Sequence, residues 1–201
     1  MSIIGIIGGS GLEQTTAFKI SEEKKVATPY GVEPVILKPP SQVNFRANVF
    51  ALKEVGCDYV LATTAVGSLK EEIKRGDLVI LDQFIDFTKH RFSTFYEKFE
   101  PHKPIHTAMA DPFSEFLRKK IITACQKLSL SFHEKGTVVT IEGPRFSTRA
   151  ESKMFKLWGA DVINMSIAPE AVLCNEVSIP YAAIAMSTDY DCWKEDEAPV
   201  S

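Results

Sequence analysis

The sequence predicts one α/β domain over residues 1–201, with a mixed, largely parallel central sheet flanked by helices. Three observations predict it. Short apolar runs alternate with helical patterns of about ten or more residues, as successive βαβ units do. The first run, Ile3-Ile4-Gly5-Ile6-Ile7, ends in a glycine cluster, the pattern of a central parallel strand buried on both faces and followed by a tight turn. The chain has 201 residues, 45% hydrophobic and 24% charged, enough for one substantial core and too few for two comfortable ones.

The elements follow in order. Ser41 is expected to cap a helix in which Val43, Ala47, Phe50, Ala51 and Val55 recur at three- and four-residue steps, with Gly56 closing it. Tyr59 to Thr64 and Asp77 to Leu81 read as strands. Phe87 to Lys103 has no clear period and reads as a long loop of the kind that carries function. Phe113, Phe116, Leu117, Ile121, Cys125 and Leu128 make an amphipathic helix. Strands are expected at 137–142, 161–164 and 179–188, with helices near 149–158 and 169–177 between them. In such sheets ligands collect at the carboxyl ends of the strands, where turns expose backbone N–H groups.

Charge and cysteine usage exclude several classes. The 23 Lys and Arg against 26 Asp and Glu give a net charge of -3, which argues against a nucleic-acid binder built on a basic stripe. The N-terminus lacks a basic segment ahead of its short apolar run, so no signal peptide is expected. No run approaches the roughly 18 apolar residues of a membrane helix. Cys57, Cys125, Cys174 and Cys192 form no CxxC pair, so neither zinc nor a redox dithiol is expected, and a reducing cytosol with buried thiols fits them.

Four polar clusters follow predicted strands: Gly8-Gly9-Ser10-Gly11, Thr63-Thr64-Ala65-Val66-Gly67-Ser68, Asn164-Met165-Ser166 and Ser187-Thr188-Asp189-Tyr190-Asp191. The first three set hydroxyls beside small residues, which lets N–H and O–H donors converge on a small anion. Each alone is ordinary turn or strand chemistry. The glycine turn lacks the P-loop ending, and Gln14 occupies the third glycine position of a dinucleotide fingerprint. Their coincidence at strand ends suggests a phosphate cradle.

The blocks Ile4-Gly5-Ile6-Ile7-Gly8-Gly9-Ser10-Gly11-Leu12, Glu142-Gly143-Pro144-Arg145-Phe146-Ser147, Asp161-Val162-Ile163-Asn164-Met165-Ser166 and Thr188-Asp189-Tyr190-Asp191-Cys192-Trp193 resemble the 5'-methylthioadenosine phosphorylases of the trimeric purine nucleoside phosphorylase superfamily. The resemblance implies a nucleoside phosphorylase-like domain that transfers a pentosyl group from S-methyl-5'-thioadenosine to phosphate. It implies phosphate contacts from Ser10, Thr64, Ala65 and Ser166, and nucleoside contacts from Phe146, Asn164, Met165 and Thr188. His106 would cross the interface of a homotrimer to a neighbour's ribosyl pocket. Asp189 and Asp191 would take the adenine roles, with Asp191 relieving the leaving group as general acid or hydrogen-bond partner. No metal or organic cofactor is implied, phosphate being a co-substrate. The implied location is cytoplasmic, with the nucleus as a second compartment.

Two departures stand out. Where the family carries an Arg-His-Gly motif whose arginine grips phosphate, this chain has Val32-Glu33-Pro34-Val35-Ile36-Leu37-Lys38-Pro39, in which Lys38 is the lone cation. A single ammonium does not reproduce a bidentate guanidinium. The sequence also stops at Ser201, where the family continues through a helical region that lines the methylthio pocket and covers the sheet. The expectation is therefore methylthioadenosine phosphorolysis, with two alternatives: an impaired variant serving as a non-catalytic subunit, and a phosphorylase of different purine preference. A dinucleotide-dependent oxidoreductase has only the first glycine turn in its favour.

Overall fold

The computed structural model describes residues 2–9, 24–31, 38–195 and 197. Eight strands and four α-helices alternate among them: β1 (Ile4–Ile7), α1 (Phe45–Glu54), β2 (Tyr59–Ser68), β3 (Leu78–Ile80), β4 (Gln83–Phe87), α2 (Glu115–Lys127), β5 (Phe132–His133), β6 (Thr137–Ile141), α3 (Arg149–Leu157), β7 (Val162–Asn164), α4 (Ile167–Glu176) and β8 (Tyr181–Tyr190). The strands form one sheet in the order β4-β6-β7-β2-β8-β3-β5, with β1 attached to β2. Pairings β2–β7 and β3–β8 are antiparallel and the others parallel, so the sheet is mixed and largely parallel. Among the described residues no helix is long and apolar enough to cross a membrane.

β2 organises the molecule. β8 runs beside it in parallel, while β1 pairs with its first half and β7 with Gly67 and Ser68 at its far end. Its alternation points Val60, Ala62 and Val66 into the main core with Phe45, Val49, Ile167, Leu173 and Tyr181. Each fully buried Val, Leu or Phe contributes about 1.5–3 kcal/mol of apolar burial. α4 is apolar nearly all round because it joins this core with α1 on one side and the sheet on the other.

Several boundaries differ from expectation. Ser41 lies in a single 3₁₀ turn, Pro40–Gln42, and does not cap α1; Asn44 does, its side chain accepting from the Ala47 N–H. That later start rotates the buried face onto Phe45, Ala47 and Val49 and leaves Val55 exposed. On α2, Leu117, Ile121 and Cys125 face inward, whereas Phe116 and Leu128 are exposed. β1 pairs in parallel as expected but is not central: within the described residues it meets only β2, and Ile4 and Ile6 are 54% and 45% exposed. β2 and β8 both run past their expected ends, so two of the four clusters lie within strands instead of after them. β4 and β5 have no counterpart in the sequence reading. All four cysteines are free thiols, three of them buried.

Candidate active site

The clusters line up along β2: Thr64 in its middle meets the ends of β6 and β7, and Gly67 and Ser68 at its carboxyl end pair with the end of β8. Gly9 presses on β2 so closely that a Cβ there would overlap the Thr63 carbonyl oxygen, and its N–H donates to Thr63 Oγ1 at 3.2 Å. Only glycine allows that approach. Ser10, the next residue, lies outside the described residues.

Behind the Thr63-Thr64 step lies a buried chain of polar groups. Asn164 Nδ2 donates to Thr64 Oγ1 at 3.2 Å, Thr140 Oγ1 donates to Asn164 Oδ1 at 2.8 Å, and the Ala168 N–H donates to Thr140 Oγ1 at 3.1 Å. Thr64, Thr140 and Asn164 are all buried. Ala65 is half-buried on the opposite face of β2, and Ser166 begins α4 without using its hydroxyl as a cap. Thr64, one of the expected anion contacts, is thus joined to the first turn of α4 through the Asn164 and Thr140 side chains.

The aspartates arrive by a register irregularity. β8 pairs evenly with β2 up to Val66 opposite Ser187, then skips so that Gly67 faces Asp189. The extra residue is Thr188, and such a bulge re-aims the side chains beyond it. A Cβ on Gly67 would lie 3.5 Å from Asp189 Oδ2, 3.4 Å from Asp191 Cβ and 3.1 Å from Ile163, so the Asp189 carboxylate and the Asp191 side chain lie together over a residue with no side chain. Burial raises the pKa of both. For Asp189 the Thr188 hydroxyl, 2.7 Å away, opposes the rise and the Asp191 charge adds to it.

Asp191 is held more tightly, at 8% exposure. The Ser152 and Ser147 hydroxyls lie near enough to favour its charged form, against the larger effect of burial. Yet Asp191 Oδ2, Ser147 Oγ and Ser152 Oγ are all buried, and none closes a well-formed hydrogen bond. Leaving such atoms unpaired costs about 1–3 kcal/mol each, so this corner is complementary to a ligand that brings donors and acceptors of its own. Phe146, beside Ser147, is 57% exposed at the rim.

Met165 packs on Gly143, whose φ of 63° and lack of a side chain admit the Met165 thioether. The buried Arg91 fixes this arrangement: its guanidinium donates to the Met165 carbonyl at 2.8 Å, to the Glu142 carbonyl at 2.5 Å and to the Glu142 carboxylate at 3.2 Å. Burial disfavours charge on Glu142, but the Lys89 and His90 N–H groups and Arg91 outweigh it and hold the carboxyl below its usual range. Cavities of about 250 Å³ and 290 Å³ flank this clamp, one lined by Glu142, Gly143 and Arg145, the other by Arg46, Arg91 and Phe92. His106 stands apart, exposed in the loop after β4 and edge-on to Phe99 at 5.8 Å.

Geometry therefore gathers Thr64, Asn164, Met165, Ser166, Thr188, Asp189 and Asp191 into one region, with Phe146 at its edge and His106 outside it. Arg91, Thr140 and Glu142 belong to the region but were not singled out from sequence. The phosphorylase superfamily pattern matches residues 4–201. The S-methyl-5'-thioadenosine phosphorylase of Ciona intestinalis is 49% identical across 98% of this chain and 79% of its own length. The chain belongs to the methylthioadenosine phosphorylase family. The Xenopus tropicalis enzyme of that name is 48% identical over the same shares. Among solved structures, methylthioadenosine phosphorylase from Schistosoma mansoni in complex with adenine superposes with a TM-score of 0.91 at 40% identity, covering 100% of this chain and 83% of that one. The likeness to methylthioadenosine phosphorylases thus extends along the whole chain.

Proposed function

We propose that this chain catalyses phosphorolysis of S-methyl-5'-thioadenosine, giving adenine and 5-methylthioribose 1-phosphate. The observation that carries the proposal is the corner at Asp191: a buried carboxyl whose Oδ2 closes no hydrogen bond and whose pKa burial raises, with Asp189 beside it over Gly67. Such a pair suits a purine edge, one carboxylate accepting from the exocyclic amine while an acid meets N7. The 40% identical relative that holds adenine is consistent with it.

The chemistry follows from where charge develops. As the bond from C1' to N9 breaks, its electron pair moves onto the purine and positive charge grows on the ribose. A phosphate oxygen forms the new bond to C1', and its negative charge stabilises the ribosyl cation on the way. Thr64, Ala65, Ser166 and Ser10 are assigned to phosphate, Met165 and Phe146 to the nucleoside, with Thr188 and Asn164 supporting that side. Asp191 relieves the leaving purine as acid or hydrogen-bond donor, aided by Asp189. Phosphate is the co-substrate, and no further cofactor enters.

Asp191→Asn should lower kcat for adenine release about 10²–10⁴-fold, the range of a positioned general acid. An unchanged kcat in a folded Asp191→Asn protein refutes the assignment. A second reading, a weakened or non-catalytic family member, is favoured by the absence of arginine from residues 32–39. Losing one such contact would cost about 2–4 kcal/mol of transition-state stabilisation.

Assembly is proposed to be trimeric, with His106 reaching a neighbouring site. Supporting it, His106 and Ile105 are exposed beside Phe99 in the single chain. Light scattering after size exclusion should give three times the 22.3 kDa chain mass. A monomer at micromolar concentration removes the proposal.

A further inference from the structure

The structure assigns to Thr140 a positioning role: through Asn164 it sets the direction in which the Thr64 hydroxyl presents its proton to the anion. This inference rests on the proposed function, in which Thr64 contacts phosphate, and adds the group that orients it.

The direction follows from which atoms can only donate. The Ala168 N–H at the head of α4 is a donor and nothing else, and it meets Thr140 Oγ1 at 3.1 Å. Thr140 therefore accepts there, and its single proton goes to the remaining neighbour, Asn164 Oδ1, at 2.8 Å. That bond fixes the amide with its oxygen toward β6 and its nitrogen toward β2. Asn164 Nδ2 must then donate to Thr64 Oγ1, at 3.2 Å. With a lone pair of Thr64 so engaged, its proton is directed away from Asn164. It rests on the Ala65 carbonyl at a long 3.2 Å, a bond that an oxyanion would readily replace.

Every member is buried, with Thr140 at 0% exposure. Water therefore does not compete for these groups, and the polarity is set by the backbone of α4. The same helix begins at Ser166, whose hydroxyl makes no cap. One polar chain thus runs from the Thr64 hydroxyl on β2 to the Ala168 N–H in the first turn of α4, the helix that Ser166 precedes. Thr140 acts through Asn164 and Thr64 and touches no reacting atom itself.

The test compares wild type, Thr140→Val, Thr140→Ser and Asn164→Asp as full chains. The readouts are the KM values for phosphate and for methylthioadenosine, and inorganic phosphate binding by calorimetry. Thr140→Val removes the hydroxyl at nearly constant volume and should raise KM and Kd for phosphate about tenfold while leaving KM for methylthioadenosine within about twofold. Thr140→Ser should restore phosphate affinity to within about threefold. Asn164→Asp turns the donor into an acceptor, draws the Thr64 proton inward and should weaken phosphate binding by about 100-fold or more. It stands as the deciding variant if Thr140→Val does not fold. Phosphate affinity unchanged in the folded variants, or both KM values moving together, overturns the relay while the proposed function survives. A wild-type chain that neither binds phosphate nor consumes it overturns both.

Discussion

At Gly67 a hydrogen atom stands where any other side chain would press on the Asp189 carboxylate and the Asp191 side chain. Gly67→Ala would place a methyl in ordinary contact, 3.4–3.5 Å, with Asp191 Cβ and Asp189 Oδ2, and 3.1 Å from Ile163, which must yield by a few tenths of an ångström. Overpacking of that kind costs about 1–3 kcal/mol. The larger effect should fall on chemistry, since the methyl takes up space against both aspartates, the proposed partners of the purine. We expect kcat/KM for methylthioadenosine to fall more than tenfold, about 1.4 kcal/mol of transition-state stabilisation, with the melting temperature lowered by only a few degrees. A large loss of melting temperature with kinetics intact would show that the aspartates do not depend on this contact.

Between elements, the decisive link is Arg91, which ties the end of β6 to the turn joining β7 and α4. Lysine cannot reproduce it, because one ammonium does not span two carbonyls and a carboxylate in a plane. Arg91→Lys should therefore raise KM for the nucleoside about tenfold or more, as Met165 and the segment bearing Phe146 lose their mutual register, and lower the midpoint of denaturation. If KM is unaffected, the clamp is structural only. Arg91 lies in the segment from Phe87 to Lys103 that sequence singled out as a functional loop, but nothing local marks it as the buried arginine. Thr140 is hidden in the same way: a threonine in a strand reads as β-propensity until its hydroxyl is seen to bridge Asn164 and Ala168. The four clusters were legible because glycines, hydroxyls and carboxylates at strand ends are local signals. The lengths of β2 and β8 were not, since Thr63 to Ser68 and Ser187 to Tyr190 are polar enough to resemble turns yet are held in the sheet by pairing with each other. Apolar character likewise marked β1 as a strand without showing that it lies at an edge.

For the molecule as a whole, stability should depend on a residue remote from the chemistry. Glu170, in the first turn of α4, is buried and its carboxylate accepts from the Tyr181 hydroxyl at 2.7 Å. Burial raises its pKa from 4.5 to about 7, against the Tyr181 hydrogen bond and the charge of Arg91. The folded protein then holds this proton more tightly than the unfolded chain. Its contribution to stability is fully present below pH 4.5 and is lost as pH rises through about 7. Denaturant melts across that window should show stability falling with pH, and Glu170→Gln should flatten the fall. An identical slope in the variant would mean that other groups set it. Function at this scale depends on whether the gathered clusters act together on two substrates. The most direct measurement follows adenine release from methylthioadenosine by the 201-residue chain as phosphate is raised from zero to saturation. The account predicts release that is negligible without phosphate, saturates with it, and yields one 5-methylthioribose 1-phosphate per adenine. Release that ignores phosphate, or no release at any concentration, would contradict it.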